Sequence, residues 1–455
     1  MSYSTITTAF VDIATFDELE KFMYNGPDAT AYFVRHVKKS TWFALSPVVL
    51  TSVSGTPAFG QTWSVEVSRS GDYLVNMWLR VTLPAVTLDA GNTHTTDGRL
   101  RWTRNLMHNL VQEANITFND MAACRLDSYH LDFWAAFTTP ASKSNGYDNM
   151  IGNTADLIQP HAPGAAIPSV TLNLPLPFFF GRDSGYALPT AALPYNVIRA
   201  NVTFRPWNQL LILDNQATGA SGQAAASDLT GGAPVVTSAN IWATYAVVSN
   251  VEREKMGCDA RTMLIEQVQT APIQTFTPAT NQRQSFDLRF SHAVKAMFFA
   301  VRNTTNDAER SNYTCASPIP GSTAVNFAPS GATDPILQTS LIYESSQKLS
   351  QMGSDYFSLI QPWFFAPSIP EATGYHLYSY SLDFFDVDPK GSTNFGKLNH
   401  ISIVPEASPD AVLGANGTGG AGSGLDSAQT YENIVTVVNN NVAMINGGTF
   451  GFPSV

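Results

Sequence analysis

Residues 62–84, TWSVEVSRSGDYLVNMWLRVTLP, decide the fold class of this 455-residue chain. Trp63, Val65 and Val67 alternate with polar residues, and this period of two is typical of a strand with one buried face. A Ser-Gly-Asp turn follows, and then a second apolar run that ends at Pro84, which cannot donate to a sheet ladder. The stretch therefore predicts two consecutive β-strands.

Similar apolar segments recur along the chain, separated by clusters of Gly, Pro, Asn and Asp. They are residues 110–118, 171–180, 195–205, 240–249, 262–271, 285–302, 339–344, 375–385, 398–404 and 433–445. Many strands with long connections and almost no helical periodicity predict an all-β protein built from sandwiches or barrels. Residues 138–170, rich in Pro, Gly and Asn, are predicted as a long loop at one end of the first barrel.

One short amphipathic helix is predicted in an N-terminal segment, residues 1–29. Residues 15–18, Thr-Phe-Asp-Glu, match a capping box, in which the threonine hydroxyl caps a free N–H and Glu18 reaches back. Its apolar side is formed at helical spacing by Phe16, Leu19, Phe22 and Met23. Such a helix packs on its own domain or docks on a partner, and the pattern leaves both open.

Four pairs of motifs repeat in the same order at nearly one offset, 180 to 185 residues. The pairs are His108 with His292, Asn119 with Asn303, residues 177–180 with 362–365, and Tyr195 with Tyr375. This repeat predicts the duplication of a domain of roughly 190 residues. The predicted domains are residues 30–250 and 262–455, joined by a linker, 251–261, whose charge run predicts a short exposed helix.

The chain carries few charges, 13% of its residues, although 44% are hydrophobic. A weakly charged surface suits a protein that buries a large area against its neighbours, although a low-charge monomer has the same composition. The formal net charge of −11 opposes direct contact with nucleic acid.

Cys124, Cys258 and Cys315 are too few and too widely spaced for a disulfide framework or a zinc site, which indicates a reducing compartment. In that setting, five Asn-x-Ser/Thr sites carry little weight, because glycosylation needs a secretory route. These sites begin at Asn115, Asn201, Asn303, Asn312 and Asn416. The sequence shows neither a signal-peptide pattern nor an apolar run of the ~18 residues that a membrane span needs.

Motifs that carry chemistry are not found. The eight histidines form neither an HExxH nor a His-x-His pattern, and Asp386 with Asp388 lacks the downstream ligands of a calcium loop. Residues 417–422 match GxGxxG, but they lie in a low-complexity loop instead of a βαβ unit. We therefore predict no catalytic, cofactor-binding or metal-binding residues, and no enzyme.

Long collinear stretches resemble the major capsid proteins of nucleocytoplasmic large DNA viruses, and among these the iridovirus members most. Examples are the RWTRN motif at 101–105 and LPLPFFF at 174–180. The other matching stretches are residues 59–64, 68–74, 78–84, 118–120, 149–153, 182–185, 193–196, 266–272, 290–296, 312–314, 391–396 and 451–453. Together they span essentially the whole chain.

This resemblance implies two tandem eight-stranded jelly-roll barrels and a homotrimer with a pseudo-hexagonal outline. Such capsomers would tile an icosahedral shell around an internal membrane. Implied partners are neighbouring capsomers, minor capsid and penton proteins, and the viral membrane through the N-terminal segment. The implied location is the virion, after assembly in the host cytoplasm.

Two other functions fit parts of the pattern. A carbohydrate-binding β-sandwich protein is compatible with the aromatic content of 11%, because sugars stack on aromatic faces, but the cysteine pattern and missing signal peptide argue against it. A jelly-roll metalloenzyme is disfavoured by the absence of a His-x-His pair.

Overall fold

The computed structural model describes residues 4–15, 17–24, 26–35, 37–91, 96–217, 221–304, 309–315, 333–413 and 429–453. The chain divides into two compact units, Met1–Trp42 and Phe43–Val455. None of the helices within the described ranges is long and apolar enough to cross a membrane.

The N-terminal unit contains two helices, α1 (Ser4–Ala14) and α2 (Glu18–Tyr24), where one was predicted. The predicted capping box at 15–18 is wrong by two residues. Asp17 Oδ1 accepts hydrogen bonds from the backbone N–H of Leu19 and Glu20, at 3.0 and 3.1 Å, while Glu20 Oε2 accepts from Asp17 N at 3.2 Å. Thr15 instead donates its hydroxyl hydrogen to the Val11 carbonyl, at the end of α1. Asp17 is the N-cap because aspartate caps as well as threonine does and is followed three residues later by a glutamate, Glu20.

The first half of the larger unit contains fourteen strands within the described ranges. They are β1 (Phe43–Val49), β2 (Thr51–Ser54), β3 (Thr62–Glu66), β4 (Tyr73–Leu83), β5 (Val86–Thr87), β6 (Gly98–Trp102), β7 (Val111–Phe118), β8 (Met121–Asp127), β9 (Ala166–Ile167), β10 (Val170–Pro175), β11 (Ile198–Phe204), β12 (Leu211–Asn215), β13 (Ser221–Gln223) and β14 (Ser238–Val248). Its helices are α3 (Leu106–Leu110), α4 (Ser128–Thr138), α5 (Ala141–Ile151) and α6 (Ala155–Ile158). Short 3-10 turns cover Phe179–Gly181, Ser184–Tyr186, Thr190–Ala192, Trp207–Gln209 and Ala226–Asp228.

The second half begins with helix α7 (Asn250–Cys258), which confirms the helix predicted from the charge run. Its strands are β15 (Arg261–Thr270), β16 (Gln274–Phe276), β17 (Phe286–Leu288), β18 (Ala293–Asn303), β19 (Ile336–Tyr343), β20 (Ser346–Gly353), β21 (His376–Ser379), β22 (Thr393–Asn394), β23 (Ile401–Ala407), β24 (Tyr431–Asn446) and β25 (Thr449–Gly451). The helical segments are a π-helix (Tyr356–Ile360), α8 (Gln361–Phe365), a 3-10 turn (Phe395–Lys397) and α9 (Pro409–Leu413).

The strands form the same antiparallel topology twice. In the first half, one sheet has the order β1-β14-β4-β10 and the facing sheet contains β3-β11-β7-β8, with β2 added at its edge. In the second half, the corresponding orders are β15-β24-β18-β21 and β17-β23-β19-β20. If the eight principal strands of each half are numbered along the chain, both halves read 1-8-3-6 and 2-7-4-5. This order is an eight-stranded jelly roll, so the predicted double jelly roll is confirmed.

The predicted repeat offset of 180 to 185 residues is wrong, because it matches strands of the first barrel with strands one position earlier in the second barrel. The third strands of the two barrels are β4 and β18, which begin 220 residues apart, at residues 73 and 293. The sequence pairing instead matched the segment after His108, the fourth strand, with the segment after His292, the third. Tyr195 and Tyr375 likewise precede the seventh strand of one barrel and the sixth of the other. A short apolar run flanked by His or Asn is common to several strands, and only strand pairing distinguishes them.

The same tight turn joins the fourth and fifth strands of both barrels. Asn119 and Asp120 have φ of 47° and 67°, and Glu344 and Ser345 have φ of 48° and 66°. Two consecutive left-handed residues between paired strands are a type I′ hairpin, whose twist matches that of the strands. This turn is a structural repeat that residue identity does not reveal.

About half of the segment predicted as a loop, 138–170, is helical. Helix α5 and helix α6 occupy much of it, and α5 ends at Gly152, whose φ of 85° is the left-handed conformation that stops helices. The sequence of α5, ASKSNGYDNMI, has poor intrinsic helix propensity. Burial of Ile151 and packing against β10 hold it in place, which no local pattern shows.

Candidate assembly site

The histidines that the structure describes include several with structural partners. His108 Nδ1 lies 2.7 Å from Asp132 Oδ1, and its Nε2 lies 2.7 Å from the Tyr147 hydroxyl. His376 Nε2 lies 2.9 Å from Asp334 Oδ2. Both imidazoles are buried, so each serves as a core polar contact. His36 and His94 lie outside the described residues.

Asp386 and Asp388 do not lie on a strand, because residues 380–388 form a series of bends. Asp386 Oδ1 accepts from Asp388 N at 3.2 Å and its other oxygen pairs with Lys390 Nζ at 2.6 Å. Within the described ranges, no group of three or more His, Cys, Asp and Glu residues is placed to hold a metal ion. The GxGxxG motif at 417–422 lies outside those ranges.

The three cysteines are free. Cys124 and Cys315 are buried and Cys258 is exposed. Burial, together with the nearby charge of Glu266, raises the pKa of the Cys124 thiol to about 12, so it stays protonated.

The two barrels meet in a buried junction whose polar core contains three charged groups. Glu266 on β15 accepts hydrogen bonds from Lys295 on β18 and from Arg182, which follows the first barrel's sixth strand. The Arg182 guanidinium also lies 4.4 Å from the ring centroid of Trp134 on α4. Burial lowers the pKa of Lys295, and Glu266 opposes that change. Buried charges are tolerated here because each has an opposite partner.

A loop of the second barrel, residues 309–315, inserts into the first barrel. Arg101 Nη1 donates to Glu309 Oε2, and Thr103 Oγ1 donates to Glu309 Oε1 at 2.7 Å. On its other side, Arg101 Nε pairs with Asp214 Oδ2 at 2.6 Å. Burial raises the pKa of Glu309, but the Arg101 charge and its hydrogen bonds outweigh it, so the pKa lies below its usual value.

Asp132 on α4 accepts hydrogen bonds from residues of both barrels at this junction. It accepts hydrogen bonds from Asn105 Nδ2 at 3.0 Å, Ser311 Oγ at 2.7 Å and Tyr313 OH at 2.9 Å, in addition to the contact with His108. Around it, aromatic rings from both barrels pack together, among them Phe137 and Phe298, whose centroids are 5.4 Å apart. The two barrels are thereby joined through an apolar and ionic interface.

An exposed apolar surface, which we call the α8 patch, lies between the fifth and sixth strands of the second barrel. It consists of Leu359, Ile360, Trp363 and Phe364, from the π-helix and α8. The side chains of Trp363 and Phe364 are 72% and 70% exposed. Single exposed apolar residues are normal on a monomer, but these neighbouring residues form one apolar surface. In the sequence analysis, residues 362–365 serve only as a marker of the repeat. A run of aromatic residues beside a proline, in a connection between strands, is the signal that could have indicated this exposed patch.

Two other regions expose apolar side chains. Edge strand β1 presents Phe43, Leu45 and Val49, and Pro47 interrupts its outer row of donors. In the N-terminal unit, Phe10 of α1 and Phe22 of α2 are exposed. Of the predicted apolar side of the helix, Leu19, Phe22 and Met23 are all exposed, and Phe16 lies outside the described residues.

Known proteins with similar sequences are viral capsid proteins. The major capsid protein of Costelytra zealandica iridescent virus is 59% identical, over 100% of this chain and 99% of the relative. That of Invertebrate iridescent virus 6 is 58% identical over the same shares, and that of Frog virus 3 (isolate Goorha) is 46% identical over 99% and 98%. The chain belongs to the major capsid protein family of large eukaryotic DNA viruses. The family resemblance inferred from the motifs is therefore confirmed.

Family models and solved structures agree with this assignment. A model of the major capsid protein N-terminus matches residues 31–248, and a model of the large eukaryotic DNA virus major capsid protein matches 252–451. The capsid protein of the quasi-atomic PBCV-1 virus capsid has a TM-score of 0.72 at 21% identity, covering 93% of this chain and 100% of that one. The Faustovirus major capsid protein has a TM-score of 0.70 at 12% identity, covering 92% and 93%. These structures share the double jelly-roll fold of this capsid protein.

Proposed function

We propose that this capsid protein assembles as a homotrimer with a pseudo-hexagonal outline, and that such capsomers tile an icosahedral shell. The observation that carries the proposal is the repeated strand order, 1-8-3-6 with 2-7-4-5, in one chain. Three chains supply six barrels of one topology, and six similar units fill a hexagonal position although the true symmetry is threefold.

The α8 patch supports a role in contacts between copies of the chain. Four apolar side chains on one short helical segment are costly in water, and self-association covers them. We propose that a second copy in the trimer covers this patch. A capsid protein must meet other copies of itself, and a weakly charged chain, 13% charged residues, suits large apolar interfaces.

The wider assembly is proposed in the same terms. Capsomers contact one another, minor capsid proteins and penton proteins, around an internal membrane, with assembly in the host cytoplasm. The exposed apolar residues of α1 and α2 suit a contact with the membrane or with minor proteins. The net charge of −11 argues against direct binding of nucleic acid.

We further propose that the chain is organised as an N-terminal segment, 1–29, a first barrel domain, 30–250, a linker, 251–261, and a second barrel domain, 262–455. The strands of the two jelly rolls, which fall on either side of α7, support this division. We propose no catalytic, cofactor-binding or metal-binding residues and no enzymatic activity, since the imidazoles of His108 and His376 are buried in the core.

Mass photometry of the purified protein, combined with negative-stain imaging, tests the trimer. The expected result is a species of three chains at nanomolar to micromolar concentration, with three lobes and a hexagonal outline. A protein that remains monomeric at micromolar concentration under native conditions contradicts the proposal.

A further inference from the structure

A polar cavity, of about 710 Å³, opens between the two barrels on the side formed by β7, β8, β15 and β24. Four arginines line it, and they come from separate elements. They are Arg125 on β8, Arg205 just after β11, Arg302 on β18 and Arg310 on the inserted loop 309–315. We call this space the arginine cavity.

Arg205 is buried in the arginine cavity and has only neutral hydrogen-bond partners. Its Nε donates to the Asn109 carbonyl at 2.9 Å, and its Nη2 donates to Ser128 Oγ at 3.1 Å. In the part of the chain that the structure describes, no carboxylate forms an ion pair with it. Asp132 attracts it from a greater distance, but the oxygens of Asp132 already accept from several donors. A buried cation without an anion is unusual, because its desolvation is not compensated.

The carboxylates of the arginine cavity are engaged with groups other than Arg205. Glu432 pairs with Arg302 at 2.9 Å, and Glu113 pairs with Arg125 at 2.7 Å. Asp127 accepts from the backbone N–H of His130 at 2.7 Å, as the N-cap of α4, and from the Thr270 hydroxyl. They therefore leave the charge of Arg205 uncompensated.

Other groups around Arg205 favour an anion. Burial and the charges of Arg310 and Arg302 lower the pKa of Arg205 to about 10, so like charges crowd this point. Tyr129 on α4 lines the same cavity. Burial raises the pKa of its hydroxyl, and the charges of Arg302, Arg205 and Arg310 oppose that rise. Its hydroxyl makes no hydrogen bond to the described residues, so it is available as a donor.

We propose that the arginine cavity binds a small phosphate-type oxyanion, held by the guanidinium groups of Arg205 and Arg310 and by the Tyr129 hydroxyl. Guanidinium groups match the oxygens of phosphate in pairs, and the anion balances the charge that the protein leaves open. Since Arg205 and Tyr129 belong to the first barrel and Arg310 to the second, the anion joins the two. This site does not depend on the proposed trimer.

Isothermal titration of the purified full-length protein with inorganic phosphate, and separately with tripolyphosphate, tests the site. Sodium chloride at matched ionic strength separates specific binding from screening. Arg205→Gln is expected to weaken phosphate binding at least about tenfold, because it removes a charge-assisted contact. Tyr129→Phe should weaken it a few-fold. Arg289→Gln, at an exposed arginine outside the cavity, should leave it unchanged.

Two results overturn the proposal: no phosphate binding beyond the chloride control, or equal affinity in Arg205→Gln and the unmodified protein. If Arg205→Gln fails to fold, Arg205→Lys and Tyr129→Phe decide, since Arg205→Lys keeps the charge but loses the paired donors. Unchanged affinity in both of these variants then overturns it equally.

Discussion

The Glu309 carboxylate of the second barrel is enclosed against the Arg101 guanidinium of the first, and their side chains are 1% and 0% exposed. The two residues are 208 positions apart in the chain. This contact makes the inserted loop 309–315 part of the first barrel's core, and it leads to the first prediction.

Replacing Glu309 by Gln should destabilise the protein by about 3–5 kcal/mol, because Arg101 loses the charge of one of its two partners in a buried site. Thermal and denaturant unfolding at one fixed protein concentration measure the change. Asp120→Asn is the matched control, since Asp120 pairs with Arg199 at the surface, at 3.0 Å, and should contribute less than about 1 kcal/mol. Equal losses in the two variants contradict the role given to Glu309.

His130 should make the protein less stable as the pH falls below about 6.5. Burial and the nearby Arg182 lower its pKa from 6.5 to about 3 in the folded chain. The unfolded chain therefore binds a proton in this range that the folded chain excludes, which costs about 2 kcal/mol at pH 5. Unfolding measured from pH 7.5 to 5 should show a flatter curve for His130→Gln than for the unmodified protein. Parallel curves would assign the pH dependence to other groups.

Trp363→Ser and Phe364→Ser should weaken the trimer at least about tenfold each, since both side chains belong to the α8 patch. Mass photometry over a dilution series measures the dissociation. Val235→Ser, at a side chain that is similarly exposed outside the patch, is the control and should not change it. Trimers that resist dilution equally in all three variants exclude the α8 patch as the contact.

Deleting residues 1–24 should leave the trimer intact but impair formation of closed shells, because these residues belong to the compact unit Met1–Trp42, whereas the described strands of both barrels belong to the other unit. Mass photometry tests the first outcome and electron microscopy of assembled particles the second. Normal shells from the deletion variant remove the proposed role of α1 and α2, whereas loss of the trimer assigns them to the capsomer itself.

Gly374→Ala should destabilise the junction of the barrels by about 2 kcal/mol or more. Gly374 has φ of 94°, and a Cβ atom there would lie 2.0 Å from the Tyr313 carbonyl oxygen. Both the left-handed backbone and the backbone contact resist any side chain. Gly222→Ala is the control, since a Cβ at Gly222 meets no atom within 4 Å. Unfolding measurements that show the same small change in both variants contradict this reading of Gly374.

The fold class could be predicted because the alternation of apolar and polar residues within a strand indicates which of its faces is buried. The stretch 62–84 became β3 and β4, with Trp63 and Val65 buried as their alternation indicates. The repeat was found but misaligned by one strand, since its true markers are strand pairing and the φ angles of turns such as Asn119-Asp120. Neither is readable from residue identity.

Features that depend on contacts between residues far apart in the chain could not be predicted from the sequence. Helix α5 forms from residues of poor helix propensity because the sheet beside it supplies the stabilising contacts. Asp132 and Glu309 are ordinary acidic residues in the sequence, and only the fold brings their donors from both barrels together. The exposure of Trp363 is likewise a property of the folded surface.

The junction of the barrels has a mechanical consequence. Lys295, Glu266 and Arg182 form a continuous buried ionic contact across it, and bending the chain there would expose charges without partners. The two barrels of each chain should therefore move as one stiff body. A closed shell built from such bodies must take up its curvature at the seams between chains, so variation in shell size is governed by the contacts between chains and not by their interiors.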